Sequence, residues 1–558
     1  MKLLRTMLPF INVLSSTLKN KFYYLLVLTV VSTIFEILIL SLLYPFINNF
    51  LDQNAVRSRE SNFLYDFFNI TSENVPLFLS FVIIIGGLIK IVYVISESRL
   101  SHRIGHALGQ NVFENTLTLG YSDHKKHNSS FFIALIVNKV NVVVYQGFLP
   151  IFRIVNGVTL TLSILIYLVI FQPILTLIII LGIILLYGIY VSLIKSVIGK
   201  SSHIVNDNQN LIIKIIQDSL GSIKEIILSR SFKVFKKEYS NASLIYKLAQ
   251  STLQIISTLP KLIIEPFVML LFILVLYFFK ETINLASFVV VFLGLVRILP
   301  SFQVIYYNFQ TFYNGLPSIE EFYKLLNTQT VKSESIDNFS FKNFSSITFK
   351  NVDFSIDSKK IISNINISLN KGQKIGIHGE SGSGKSTFVD LLMGLISPSE
   401  GEISIDNEVL NEVTKYEWFS QIGHVKQDVF LIDDTIKKNI AFGLEDDLID
   451  EAEVISSLEL AGLKNMVLDL DKGIHSLVGQ NGAFISGGQR QRIGLARLFY
   501  FKKKIIVLDE ATSALDYETE ASILEKIYSL NNEYTIIMIS HRVETLKECD
   551  IILEFPLK

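Results

Sequence analysis

Gly379-Glu380-Ser381-Gly382-Ser383-Gly384-Lys385-Ser386-Thr387 is a glycine-rich phosphate loop, and its setting decides how the rest of the chain is read. It follows an apolar strand, Lys374 to His378, and opens an apolar helix, Phe388 to Leu395. The glycines let backbone N–H groups close around the β-phosphate of a nucleotide, Lys385 reaches the β- and γ-phosphates, and the Ser386 hydroxyl is suited to magnesium. The whole run is assigned to ATP binding.

Upstream lies sequence of another kind. Of 558 residues, 50% are hydrophobic and 18% charged, and the mean hydropathy of +0.44 exceeds that of an ordinary soluble protein. Two unlike parts make this average. Residues 1–326 are dominated by Leu, Ile, Val and Phe; residues 327–343 form a polar linker; residues 344–558 have the mixed charge of a globular α/β domain. A net charge of -1 offers no basic field for nucleic acid, so no such partner is expected. Cys549 is the only cysteine, which excludes a disulfide framework, a thiolate metal cluster and an upstream cysteine-peptidase nucleophile. No small-residue cleavage site follows the basic N-terminus, so the first apolar run reads as a retained span.

A membrane helix needs roughly 20 apolar residues. Six runs approach or reach that length: Phe22 to Leu43, Leu77 to Ile95, Ile154 to Phe171, Ile174 to Ile194, Leu262 to Phe279, and Asn284 to Leu299. Lys and Arg cluster before the first run, in the second connection (Arg99, Arg103, Lys125, Lys126, Lys139) and in the fourth (Lys195, Lys200, Lys214, Lys224, Lys236, Lys237), whereas the opposite connections carry only Arg57, Arg59 and Lys280. Basic residues near span ends stay cytoplasmic, so both termini are expected there. The long cytoplasmic connections keep a helical apolar period, so the helices should run past the bilayer, with tips near Tyr121 to His127 and Gly221 to Leu228. Only Gln172 and Pro173 separate the third and fourth runs, which predicts a tight hairpin.

Beyond the loop, Ile505-Ile506-Val507-Leu508-Asp509-Glu510 is an apolar strand ending in two carboxylates. Asp509 is the expected magnesium ligand and Glu510 the base for the attacking water. Ile485-Ser486-Gly487-Gly488-Gln489 precedes a helical stretch, and its turn is a second anion site at a helix N-terminus. One nucleotide needs one cradle. A second makes sense if Ser486, Gly487, Gly488 and Gln489 cover the γ-phosphate of ATP held by another copy, which implies a homodimer.

These residues resemble the ATP-binding cassette family, whose signature is Leu-Ser-Gly-Gly-Gln. The resemblance implies that Gln427 is a catalytic loop glutamine that also meets magnesium, that Ser513-Ala514-Leu515-Asp516 is a dimer-crossing loop, and that His541 is a switch histidine near the γ-phosphate. Val478-Gly479-Gln480-Asn481-Gly482 is similar to the segment by which exporters sense the membrane domain. The implied fold is an α-helical six-span transmembrane domain of the type I ABC exporter kind, followed by an α/β P-loop nucleotide-binding domain. There are departures. Ile356 stands where the family places an aromatic ring against adenine, and Lys426 stands where a proline commonly precedes Gln427.

Glu36, Lys90, Lys261, Glu265 and Arg297 fall in or beside the spans, where a charge costs about 2.5–3.5 kcal/mol at a helix centre. Lys90, Lys261 and Arg297 are candidates for a cavity that attracts an anionic, phosphate-bearing substrate. In the outer connection Phe63, Leu64, Phe67 and Phe68 have the spacing of a short helix touching lipid. Together with Phe35-Glu36-Ile37, Leu259-Pro260-Lys261 and Val296-Arg297-Ile298-Leu299-Pro300, these features resemble the bacterial lipid-linked oligosaccharide flippase of protein N-glycosylation. Where that family carries a further arginine, this chain has Val304. The resemblance implies ATP- and Mg2+-dependent flipping of a polyprenyl-pyrophosphate oligosaccharide. Export of peptides, drugs or lipids is the alternative within the class, and an ATP-gated channel the alternative outside it.

Overall fold

A backbone crossing hydrocarbon must satisfy its own N–H and C=O groups, so long apolar runs fold as helices. The computed structural model describes residues 10, 14–51, 74–126, 129–279, 285–326, 344–356, 359–411, 414–530 and 533–556. Among these, six helices are long and apolar enough to cross a membrane. They comprise α1 (Ser16–Leu51), α2 (Val75–Thr118), α3 (Leu149–Phe171), α4 (Pro173–Gly221), α5 (Phe232–Phe279) and α6 (Leu285–Leu326). Two π-helical segments, Ala134–Lys139 and Val143–Phe148, lead into α3. The 44 residues of α2 and the 49 of α4 make rods of roughly 66 and 74 Å at ~1.5 Å per residue, about twice the ~30 Å of hydrocarbon. Gln172 alone joins α3 to α4, and its φ of -142° and ψ of 78° break the helix there. The outer residues Phe63, Leu64, Phe67 and Phe68, and the linker 327–343, lie outside the described residues.

The chain divides into two compact units, Met1–Thr118 with His127–Thr330, and Leu119–Lys126 with Val331–Lys558. In the first, α1 packs along α2, α4 along α5, and α3 along α6. Apolar burial does not drive helix association in lipid, so close approach must, and small residues permit it. A Cβ on Gly157 would lie 2.8 Å from Ile305 Cγ1, and one on Gly294 would lie 2.9 Å from Leu168 Cδ1. Both glycines are therefore what lets α3 and α6 touch. Pro260 interrupts α5 and has no N–H for the Ile256 carbonyl one turn back. The hydroxyls of Tyr190 (2.7 Å) on α4 and Tyr306 (3.4 Å) on α6 donate to that carbonyl instead. Outward-facing Leu77, Ile170, Ile174 and Phe278 are exposed, as suits a surface meeting lipid.

The second unit carries two sheets. Strands β1 (Ser346–Ile356), β2 (Lys359–Asn370), β4 (Glu400–Ile405) and β5 (Glu408–Val409) form an antiparallel sheet in the order β2-β1-β4-β5. The parallel sheet has the order β6-β7-β8-β3-β9, from β3 (Lys374–Gly379), β6 (Ile422–Val425), β7 (Ile505–Asp509), β8 (Thr535–Ile539) and β9 (Ile551–Phe555). Parallel strands covered on both faces read as continuous apolar runs; all of Ile505, Ile506, Val507 and Leu508 are buried. Helix α7 (Lys385–Leu392) follows β3. It begins earlier and ends earlier than the apolar run Phe388 to Leu395, because Gly384 caps it at φ +98° and Gly394, at φ +74°, turns the chain out of it. Helix α8 (Gly487–Phe501) precedes β7.

Candidate nucleotide site

The parallel sheet delivers β3, β7 and β8 side by side with their C-terminal ends together, which is where open α/β sheets hold ligands. Gly379 closes β3 at φ +151°, and a Cβ there would lie 2.4 Å from the Phe555 carbonyl oxygen, so only glycine fits. Gly382 at φ +80° and Gly384 at φ +98° carry the loop round. Lys385 is buried, and its ammonium donates to the carbonyls of Gly379 (2.8 Å) and Glu380 (2.7 Å). Ser386 and Thr387 lie in the first turn of α7. The Ser383 hydroxyl is buried with no hydrogen-bond partner.

Asp509 ends β7 beside this loop. Burial, then the Glu510 and Asp390 carboxylates, push its pKa above the usual carboxylate range, against the pull of Lys426 and Lys385. A carboxylate short of positive charge and an orphaned loop hydroxyl fit a metal-bound polyphosphate. Among the described residues no cluster of three or more His, Cys, Asp or Glu side chains could hold a metal unaided, so Asp509, Ser386 and Gln427 would share it with phosphate oxygens.

Glu510 has φ +50°, the left-handed region that a residue other than glycine seldom enters. Its N–H donates to the Ile539 carbonyl at 3.1 Å, and its carboxylate lies 2.8 Å from His541 Nε2. The sequence candidates Lys385, Asp509, Glu510 and His541 are thus brought to one sheet edge. Ile356, half exposed, ends β1.

The signature turn sits on a different core. Ser486 caps α8: its hydroxyl accepts from the Gln489 N–H (3.2 Å), while the Gln489 side chain accepts from the Ser486 N–H (2.8 Å). Gly487 faces open space, and a Cβ on Gly488 would meet the Ala514 carbonyl oxygen at 3.1 Å.

One feature escapes sequence reading. Buried Gln491 donates to the Gln427 carbonyl (3.1 Å) and Ser513 Oγ (3.2 Å) and accepts from the Ala514 N–H (3.0 Å), tying the loop at Gln427 to the loop at Ser513 and Ala514. The short helix Tyr121–Lys126 also belongs to this unit. Lys125 Nζ meets Asp390 Oδ2 at 2.9 Å, and Lys426 lies over the Tyr121 ring at 5.6 Å. Lys426 therefore replaces the usual proline with a cation that holds an aromatic ring.

In the first unit, Lys90 of α2 and Arg297 of α6 both pair with Glu36 of α1, whose side chain is 3% exposed. Two of the cavity candidates thus share one acid. Lys261 of α5 is exposed.

Comparison with known proteins agrees with this architecture. The model of the ABC transporter domain matches residues 362–513, and that of the ABC transporter transmembrane region matches residues 22–299. An uncharacterized ABC transporter ATP-binding protein, YwjA, of Bacillus subtilis is 35% identical over 43% of this chain and 42% of its own length. The ATP-dependent lipid A-core flippase of Francisella novicida is 38% identical over 37% of this chain and 35% of its own. The leukotoxin translocation ATP-binding protein LktB of a Pasteurella haemolytica-like species is 41% identical over 37% and 29%. The chain aligns with less than half the length of each of these relatives. A solved bacterial Atm1-family ABC exporter with ATP bound shares the fold, with a TM-score of 0.80 at 24% identity over 97% of this chain and 94% of that one.

Proposed function

The chain belongs to the ABC transporter family, and from that membership we propose that it is one half of a homodimeric, ATP-driven exporter of an amphipathic anionic substrate. The observation that carries the reading is the Glu510–His541 pair, 2.8 Å apart beside the phosphate loop, on a chain whose other part has six helices able to cross a membrane.

Lys385 and the loop amides bind the triphosphate, while Ser486 and Gly488 of the partner subunit cover its γ-phosphate. Magnesium, when bound, neutralises charge developing on the β- and γ-oxygens; Ser386, Asp509 and Gln427 are the residues to hold it. Glu510 takes the proton of a water as its oxygen attacks the γ-phosphorus, and the bond to the β-phosphate oxygen breaks. His541 holds the Glu510 carboxylate in place. Gln491 transmits changes at Gln427 to Ser513 and Ala514. The contacts of Lys125 and Lys426 support a route from the phosphate site to a helix tip, and both termini lie in the cytoplasm of a bacterial cell.

For the cargo, we favour a polyprenyl-pyrophosphate oligosaccharide. Lys90 and Arg297 on Glu36 leave one net positive charge on that cluster, and exposed Lys261 adds another, which suits a pyrophosphate. A relative is named a lipid A-core flippase, which supports a lipid-type substrate; another is named for leukotoxin translocation, which favours a polypeptide as the second reading. In proteoliposomes, flipping of a fluorescent polyprenyl-pyrophosphate glycan is expected, with hydrophobic peptides as the competing arm. Arg297→Leu should cut glycan flipping about tenfold, in line with loss of a ~1.4 kcal/mol contact, and an unchanged rate would rule out an anionic cargo.

A further inference from the structure

On the loop's own side of the nucleotide site, nothing at Ile356 can stack on a base. Ile356 is 51% exposed at the end of β1, and an aliphatic side chain has no π-face to offer an adenine ring.

An aromatic ring stands free at the other anion-binding turn. Phe484 is 75% exposed and lies two residues before Ser486, the N-cap of α8. A lone exposed phenylalanine is ordinary; the way this one is held is not. Its N–H donates to the Val478 carbonyl at 3.1 Å. Its ring lies against Gly479, where φ is +74° and a Cβ would come 2.9 Å from the ring. The glycine makes room for the ring, the turn fixes its base, and the rest of its surface is left bare, three and four residues ahead of Gly487 and Gly488.

We propose that Phe484 supplies from one chain the aromatic face that Ile356 lacks on the other, stacking on the base of the nucleotide held in the partner's phosphate loop. This rests on the two-chain sandwich proposed above. If the Ser486 turn covers the γ-phosphate, Phe484 lies up to ~7 Å of backbone upstream of it, with the length of its side chain to add. A nucleotide's base is likewise displaced from its terminal phosphate. Stacking tolerates any base, because every base has a π-face. Phe484 therefore raises affinity for ATP and GTP alike and does nothing for a ligand without a base.

The test uses the full-length protein in nanodiscs, with the KM for ATP and the inhibition constant of inorganic tripolyphosphate as paired readouts. Phe484→Leu keeps apolar bulk against Gly479 and removes the ring. It is expected to raise the KM for ATP about tenfold and leave tripolyphosphate inhibition unchanged, while Phe484→Tyr stays near the parent. Adding Ile356→Tyr to Phe484→Leu should restore the KM by returning a π-face to the base from the other chain, while the unchanged tripolyphosphate inhibition separates stacking from a merely structural role for Phe484. An unchanged KM in Phe484→Leu, or an equal weakening of ATP and tripolyphosphate, would overturn the assignment, as would the same effect from Tyr517→Ala, at another strongly exposed ring. Pairing of Glu510→Gln protein at saturating Mg-ATP is measured alongside. If the pair forms and Phe484→Leu has no effect, only the stacking fails; if no pair forms, the sandwich fails and the stacking with it.

Discussion

Glu510 shows how much a single backbone angle decides. Its left-handed conformation costs of order 1–3 kcal/mol, and the bond from its N–H to Ile539 helps to hold it; the result is a carboxylate aimed at His541 rather than back along β7. Glu510→Gln keeps the shape and loses the proposed base, so turnover should fall at least ~100-fold while nucleotide binding persists; a phosphate-release assay at saturating ATP checks this, and normal turnover would exclude Glu510 as the base. Gln491 makes a different prediction. Gln491→Ala leaves the Gln427 carbonyl and the Ala514 N–H without their partner in a buried place, a loss of about 1–3 kcal/mol. The thermal midpoint should drop by several degrees and ATP turnover should fall with it. A full retention of both would mean that the loops are not tied through this side chain. Lys385, Asp509 and Glu510 could be read from sequence because each follows a strand that delivers it. Gln491 could not, because its partners are 22 to 64 residues away and nothing local marks it.

At the scale of elements, apolar runs identified the six long helices because a helix in lipid is dictated by its own composition. Their ends were harder: Gly384 and Gly394 move α7 three residues toward the loop, a matter of backbone conformation that apolar pattern does not encode. Strand β6 carries a further consequence. His424 is pushed down to about 4, first by burial and then by Lys426, with Asp390 opposing, and its Nε2 is buried without a hydrogen-bond partner. The unfolded chain binds the proton near the ordinary value of 6.5, so the stability this neutral ring confers is complete above about 6.5 and is lost as the pH falls from there toward 4. Between pH 7 and pH 5 the loss should be about 1–2 kcal/mol, allowing for partial exposure. His424→Gln should flatten that part of the profile of thermal midpoint against pH, and an unaltered slope would place the acid sensitivity elsewhere.

For the whole molecule, the sandwich proposed above requires two chains to meet before the amides of the Ser486 turn find a phosphate. Glu510→Gln protein in nanodiscs should therefore be paired at saturating Mg-ATP, and mass photometry showing one chain per disc under those conditions would contradict the sandwich. The membrane charges were visible one by one in the sequence, but their grouping was not: Arg297 and Glu36 are 261 residues apart, and only the packing of α1, α2 and α6 shows that a single acid serves two cations.

Pro260 gives α5 a joint whose loose oxygen is tended by a phenol from each neighbouring rod, Tyr190 and Tyr306. The carbonyl freed by the proline is thus not left as a bare dipole in oil, and because both phenols are anchored next door, α5 is tied at its joint to α4 and α6 together.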